Sequence, residues 1–196
     1  MKTSIRILTI FLISLLQIAS AQDVLTLPGE SPLVDIRVQF EVGSVDDPKG
    51  KEGLTYLTSL ALSEAGTQKH SYKEVLSSFY PWAVSVDTTV GKEMVTFSTT
   101  VHRDHLVDFT NLLVEMLGSP GFDQKDLDRL KDKGKNYLTQ DLRVNNDEEL
   151  GKEVLYLQLY PGSHPYGHHN VGSVRGLEAV DQTALKDFYT HHFTPA

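Results

Sequence analysis

Apolar and polar residues alternate from Val34 to Val42, and this pattern predicts a β-strand with one face in the core. The apolar side chains occupy every second position, with charged or amide side chains between them. Gly43 and Ser44 follow, and the Asp46-Asp47-Pro48 turn ends the strand. The first element is therefore a half-buried strand.

Two helices are predicted after this strand. The first runs from about Glu52 to Glu64 and stops at Gly66. The second runs from Ser71 to Phe79 and ends before Pro81, because proline cannot continue a helix. Both are short enough to pack against a small sheet.

Two further strands follow these helices. The segments from Trp82 to Thr89 and from Glu93 to Val101 are rich in β-branched and aromatic residues. They are joined at Val90-Gly91-Lys92, so we expect a hairpin.

The second half of the chain is predicted to be helical, because apolar residues recur there at helical spacing. The segments run from Leu106 to Met116, from Leu127 to Leu142, from Asn146 to Leu159 and from Asp181 to Tyr189. A strand, two helices, a hairpin and a helical block together predict an α+β fold, with an antiparallel or mixed sheet covered by helices on one face.

The first 21 residues predict an export signal. Lys2 and Arg6 precede the apolar run from Ile7 to Ile18, and Ala19-Ser20-Ala21 offers small residues for cleavage before Gln22. The run is short for a membrane span, although an uncleaved anchor is an alternative. We expect residues 1–21 to be a signal peptide, residues 22–196 to form one domain, and the mature chain to be periplasmic or extracellular without a membrane span.

Composition and charge narrow the possible chemistry. The chain has no cysteine, which excludes a disulfide framework and a thiolate metal site. Its formal net charge is −8, and removal of the signal peptide with Lys2 and Arg6 makes it about −10. Such an acidic chain is not expected to bind nucleic acid.

A second pattern surrounds the first predicted helix. Gly43-Ser44, Asp46-Asp47-Pro48 and Gly53-Leu54 lead into the helix, and Gly66-Thr67 follows it. This frame resembles the active-site helix of the insulinase and pitrilysin family of zinc metallopeptidases. In that family the helix carries the sequence HxxEH.

The resemblance places three substitutions on this helix. Tyr56 stands at the first His position, Ser59 at the Glu position and Leu60 at the second His position. In the family, the two His at i and i+4 reach one zinc ion and the Glu acts as general base. The resemblance also implies a third ligand, a Glu from a later helix, and a gapless count puts it at Asn136. We therefore expect no catalytic residue and no zinc or other cofactor in this chain, and we expect the helix face to pack as core.

Other segments carry the same resemblance. Pro120-Gly121-Phe122, His164-Pro165-Tyr166-Gly167, Gly172, Phe188-Tyr189 and Phe193-Thr194-Pro195 are similar to conserved steps of the family's first half-domain. The similarity extends over most of the mature chain. Family members carry at least one further homologous domain, so the resemblance implies that this chain is a fragment.

The histidines offer alternative metal ligands. His164, His168 and His169 lie in one predicted loop, but no carboxylate lies among them. His102 and His105 have the i, i+3 spacing of a shared ligand pair, and an exposed helix entry explains them equally well.

Two functions follow from the resemblance. The first is a non-catalytic domain that pairs with a homologous zinc-bearing catalytic domain or subunit and helps to hold unfolded peptide. An extended peptide would add to a sheet edge, for which the segment from Ala83 to Val101 is the predicted place. The alternative is an active zinc endopeptidase with noncanonical ligands, or with its HxxEH in a missing part of the chain.

Overall fold

The computed structural model of the chain describes residues 24–162 and 164–193. These residues divide into two units. Residues 24–30 belong to the first unit and contain no helix or strand, and residues 31–193 form the second unit, which contains every element named below. The predicted signal peptide, residues 1–21, lies outside the described residues.

Three antiparallel strands form one sheet. They are β1 (Leu33–Phe40), β2 (Asp87–Val90) and β3 (Val95–His102), in the spatial order β1-β3-β2. The register pairs Leu33 with His102 at one end of β1 and Phe40 with Val95 at the other. The predicted hairpin is present as β2 and β3, with Val90 opposite Val95.

Seven α-helices accompany the sheet in the described part of the chain. They are α1 (Leu54–Ser63), α2 (Tyr72–Trp82), α3 (Leu106–Gly118), α4 (Gln124–Asn136), α5 (Asp147–Leu159), α6 (Val174–Ala179) and α7 (Gln182–His192). Short 3-10 helices at Ser44–Asp46 and Arg103–His105 precede α1 and α3, and a π-helix, Tyr137–Asn145, continues α4. The predicted α+β class is confirmed.

The helices pack on one face of the sheet. One core cluster joins β3 to α1, α4 and α7 and includes Phe97, Leu57, Leu130 and Leu185. A second cluster joins β1 and β3 to α2 and α3. The opposite face of β1 is exposed at Asp35, Arg37 and Gln39, as the alternating pattern predicts.

The boundary between α2 and the hairpin was predicted wrongly. The helix continues through Pro81 to Trp82 and ends at Ala83, which takes a left-handed conformation with φ 52°. The strand predicted from Trp82 begins only at Asp87. Trp82, Val84 and Val86 alternate because their side chains pack on the second core cluster, not because their backbone joins the sheet.

Helix α5 is the least buried helix of the second half. Each of its residues, all within the described part of the chain, is exposed or half-buried. Val154 is 50 % exposed and Leu159 is 62 % exposed. None of the described helices is long and apolar enough to cross a membrane.

Candidate functional site

The carboxylate of Asp47 organises the start of α1. Its Oδ2 accepts a hydrogen bond of 2.7 Å from the backbone N–H of Gly53, and its Oδ1 accepts one of 2.7 Å from the backbone N–H of Thr55. Gly53 has φ 106°, a left-handed conformation that favours glycine. The hydroxyl of Thr55 donates to the carbonyl of Gly43 at 2.9 Å. The turn before α1 is thus fixed to the helix at several points.

Tyr56, at the first ligand position, packs against α4. A Cβ placed on Gly134 would lie 3.1 Å from Cε1 of the Tyr56 ring, so the ring lies directly over this glycine. Tyr56 is half-buried. Burial, with smaller effects of Glu64 and Tyr137, raises the pKa of Tyr56 to about 12. The phenol is therefore neutral at physiological pH.

Ser59 and Leu60 are both part of the interior. Ser59 is 0 % exposed, and its hydroxyl donates to the backbone carbonyl of Thr55 at 2.7 Å. Leu60 is 4 % exposed and belongs to the larger core cluster. The side chains at all three positions are engaged with the protein itself.

Asn136 lies on a different helix from this group. It is the last residue of α4 and is exposed. The α4 residue that the structure brings against Tyr56 is Gly134. Tyr56, Ser59 and Leu60 thus share one helix and Asn136 ends another. The assignment of Asn136 as the third ligand position stays a prediction from the residue count.

These residues do not fit a zinc ion. Zinc takes deprotonated sulfur, imidazole nitrogen or carboxylate oxygen ligands. The Tyr56 phenol is neutral, the Ser59 hydroxyl is turned to a carbonyl, and Leu60 has no lone pair. No group of three His, Asp or Glu side chains within residues 24–162 and 164–193 is arranged to hold a metal ion.

The three histidines of the 164–169 loop contact different partners. Nε2 of His168 lies 3.2 Å from Oδ2 of Asp47, and Nδ1 of His169 accepts a 3.0 Å hydrogen bond from the N–H of Val171. The ring centroid of His164 is 4.7 Å from that of Tyr160. The three imidazoles therefore do not converge on a common point: His168 contacts the turn before α1, and the other two have partners close in the chain.

The other histidine pair is also separated. Nδ1 of His102 lies 3.3 Å from a carboxylate oxygen of Asp104. The ring of His105 stacks on Trp82 with their centroids 6.3 Å apart. The two imidazoles therefore have different neighbours.

A small cavity of about 180 Å³ lies between the histidine loop and α5. Its lining residues are Lys92, Glu149, Lys152, Glu153, Tyr156, His168, His169 and Asn170. Lys92 donates to the carbonyl of His168 and lies over the Tyr156 ring. Burial lowers the pKa of Lys92 and of His169. The sequence places Asp47 in the turn before the first helix but does not show its contact with His168, and it does not indicate Lys92, because these contacts join residues distant in the chain.

A second cavity, of about 340 Å³, opens on the face of the sheet that the helices leave uncovered. It is lined by β1, by β3 and by the segment that leads into β2, including Arg37, Ser98, Ala83, Ser85 and Asp87. The lining is mostly polar. This cavity therefore lies along the predicted peptide-binding hairpin.

Asp47 gives the fold a specific pH dependence. Burial raises its pKa from 3.8 to about 6. Because the folded chain binds this proton more tightly than the unfolded chain, Asp47 contributes stability at low pH that is lost as the pH rises through about 6. Relative to Asp47→Asn, the wild-type free energy of unfolding should fall by on the order of 2 kcal/mol between about pH 4 and pH 7.

Urea unfolding of both chains across this range measures the difference. His168 has the opposite effect, since burial and Lys92 lower its pKa, and its Nε2 lies 3.2 Å from Asp47 Oδ2, so the same two chains are also compared with His168→Ala in each. If the two stability curves run parallel across the range, the buried Asp47 carboxyl does not titrate as described.

Comparisons with known proteins agree with this architecture. The family model for insulinase, peptidase family M16, matches residues 25–156. No curated protein matched the sequence. Among solved structures, an inactive domain of peptidase M16 from Pseudomonas fluorescens has 25 % sequence identity and a TM-score of 0.70, over 82 % of this chain and 38 % of that one.

Two more distant structures share the fold. Pitrilysin has 20 % identity and a TM-score of 0.72, over 85 % of this chain and 18 % of its own. The periplasmic protease PqqL from Escherichia coli has 12 % identity and a TM-score of 0.71, over 84 % of this chain and 18 % of its own. The chain thus spans well under half the length of each of these structures.

Proposed function

This chain belongs to the insulinase family of peptidases, family M16, and we propose that it is a non-catalytic domain that holds unfolded peptide beside a zinc-bearing sister domain or subunit. The proposal rests on one observation: the side chains at the three motif positions of α1 contact the protein itself. Tyr56 lies over Gly134, Ser59 bonds to its own helix, and Leu60 is in the core. The similar structure from Pseudomonas fluorescens is itself an inactive domain, which supports the proposal.

The hairpin is the proposed place for the peptide. Along an antiparallel edge strand, the N–H and C=O groups of one residue point to the neighbouring strand, and those of the next residue point to the free edge. The N–H of Gly91 donates to the carbonyl of Met94 at 2.8 Å and so faces β3. By this alternation Val90 and Thr88 present their N–H and C=O groups to the outer edge of β2, where an extended peptide can add as a strand.

The larger cavity supports the same placement. The cavity is lined by Ser85, which precedes β2, by Asp87, the first residue of β2, and by residues of β3. Side chains of a peptide along β2 alternate between the two faces of the sheet. Those on the uncovered face would lie next to this polar cavity.

The proposed setting is an exported protein. Residues 1–21 are proposed as its signal peptide, with cleavage before Gln22 and release to the periplasm or the extracellular space. Residues 22–196 are proposed as one domain of a larger assembly, whose homologous partner domain carries the zinc ligands. PqqL, which shares the fold, is a periplasmic protease.

Zinc stoichiometry tests the non-catalytic part of the proposal. The purified chain without a histidine tag is dialysed against zinc and then buffer, and its metal content is measured by elemental analysis. We expect well under about 0.1 zinc per chain, because a site that lacks two or more ligands loses its affinity. About one tightly held zinc per chain would overturn the proposal in favour of an active endopeptidase with noncanonical ligands.

Binding of fluorescein-labelled β-casein, an unfolded polypeptide, tests the peptide part. Anisotropy should rise with the chain while the β-casein stays uncleaved. Val90→Pro removes one outward N–H of β2 and should weaken binding about tenfold. Gln39→Pro is the matched control on the other edge strand and should leave the affinity within about twofold. Equal weakening by both, with both chains folded by circular dichroism, would place the peptide elsewhere.

A further inference from the structure

The cavity between the histidine loop and α5 is lined by a lysine that no carboxylate neutralises. Lys92 is half-buried. Its ammonium group donates to the carbonyl of His168 and lies 5.2 Å from the ring centroid of Tyr156. No salt bridge among the described residues includes Lys92. This side of the cavity therefore carries a positive charge with N–H groups to spare.

Glu153 of α5 supplies a negative charge to the same cavity. Its Oε2 is fully buried and has no hydrogen-bond partner in the described part of the chain. Glu149, the other carboxylate that lines the cavity, is already paired, because Nζ of Lys152 lies 2.6 Å from its Oε1. A buried carboxylate without a cation or a donor is costly. The cavity thus holds one positive and one negative side chain, and no salt bridge joins them.

The histidine loop adds hydrogen-bond donors to the cavity. Nδ1 of His169 accepts the 3.0 Å hydrogen bond from the N–H of Val171, so the neutral ring carries its proton on Nε2. Oδ1 of Asn170 accepts a 2.9 Å hydrogen bond from the hydroxyl of Ser44. The amide nitrogen of Asn170 therefore remains as a donor. The loop presents donors to the cavity, and α5 presents the unpaired carboxylate.

We propose that this cavity binds a free α-amino acid in its zwitterionic form. The carboxylate of the ligand accepts hydrogen bonds from Lys92, Asn170 and His169, and its ammonium group donates to Glu153. A ligand that carries both charges satisfies both unpaired side chains, whereas Glu153 repels a simple anion and Lys92 repels a simple cation. The proposal does not rest on the proposed function, because it uses no residue of the hairpin edge that is proposed to hold peptide.

The size of the cavity favours the smallest amino acids. Its volume is about 180 Å³, which is below the roughly 300 Å³ at which pockets for drug-sized ligands begin. At about 30 Å³ for each water molecule, the cavity holds about six waters. Glycine and alanine fit such a volume and replace these waters with charged groups at both ends. We therefore choose glycine as the probe.

Titration of the purified full chain with glycine, followed by two-dimensional amide NMR, is the main test. The amide signals of residues 168–170 and of α5 should shift and saturate, with a Kd on the order of 1–10 mM for so small a ligand. Sodium acetate and methylammonium chloride each carry one of the two charges and should bind at least about tenfold more weakly. Sodium chloride at the same ionic strength is the blank.

Two charge variants locate the ligand between its two partners. Glu153→Gln keeps the shape of the side chain and should weaken glycine binding about tenfold or more, while it leaves the weak binding of acetate no weaker. Lys92→Met should also weaken glycine binding about tenfold, while it leaves methylammonium binding no weaker. Glu178→Gln, at an exposed position of α6, is the matched control and should bind glycine within about twofold of wild type.

Three results would overturn the proposal. The first is the absence of saturable shifts up to about 100 mM glycine, which would leave the cavity to water alone. The second is acetate or methylammonium binding as tightly as glycine, since one charge would then suffice. The third is a folded Glu153→Gln chain that binds glycine like the wild type.

Discussion

Ser59→Glu is expected to lower the free energy of unfolding by about 3–5 kcal/mol, although it restores the residue that the family's motif carries at this position. Ser59 is fully buried, and its hydroxyl donates to the carbonyl of Thr55 at 2.7 Å. A carboxyl group there loses its hydration, because the position is 0 % exposed. The larger side chain must also displace closely packed neighbours in α1.

Urea unfolding measures this effect, and Ser59→Ala is the matched control. Alanine removes one hydrogen bond and little volume, so it should cost only about 1 kcal/mol. The glutamate variant should also lose stability as the pH rises, because burial favours the protonated carboxyl group. A glutamate variant as stable as the alanine variant would show that this face of α1 still has room for a functional carboxylate.

Among Gly→Ala substitutions in the loops, Gly172→Ala is expected to lower the free energy of unfolding the most. Gly172 has φ 93°, and a Cβ there would lie 2.0 Å from the carbonyl oxygen of Glu52. The Cβ would meet a backbone atom, so the clash can be relieved only if the backbone at Gly172 or at Glu52, in the turn before α1, moves. The left-handed conformation and this clash should together lower the free energy of unfolding by about 3 kcal/mol or more.

Gly151→Ala is the matched control for this substitution. Gly151 lies in α5, and a Cβ there would have no heavy atom within 4 Å. Alanine in an exposed helix should therefore stabilise the chain by about 0.5–1 kcal/mol. Thermal melts of both variants measure the difference. Similar melting temperatures would show that the loop carrying Gly172 is not held against Glu52.

Local patterns predicted most of the fold because most elements are amphipathic. The alternation of β1 and the helical spacing of Phe109, Leu113 and Met116 correspond to buried faces in the structure. The prediction failed between Trp82 and Val86. There an alternating pattern arises from packing onto the second cluster, and a strand cannot be distinguished from an extended segment without its hydrogen-bonding partner.

The short helix α6 was also missed. It spans only six residues and contains the poor helix formers Val174 and Gly176. Its start depends on a tertiary contact, since the N–H of Ser173 donates to the carbonyl of Glu52. A segment this short gives no periodic signal.

The candidate site was predictable only in part. The types of residue at positions 56, 59 and 60 are read directly from the sequence, so the loss of imidazole and carboxylate groups needs no coordinates. The contacts that the new side chains make could not be predicted from the sequence. The contact of Tyr56 with Gly134 joins residues on different helices, and the bond between Asp47 and His168 joins residues 121 positions apart.

The contact between Tyr56 and Gly134 constrains how this chain can evolve. A Cβ at position 134 would lie only 3.1 Å from the Tyr56 ring and 3.0 Å from Leu177, so any larger residue at 134 must push these side chains aside. A smaller imidazole at 56 would leave a void over that glycine, which lowers stability before any metal is gained. Building a zinc site on α1 therefore needs several substitutions together, because a single step toward histidine at 56 costs stability before any ligand set is complete.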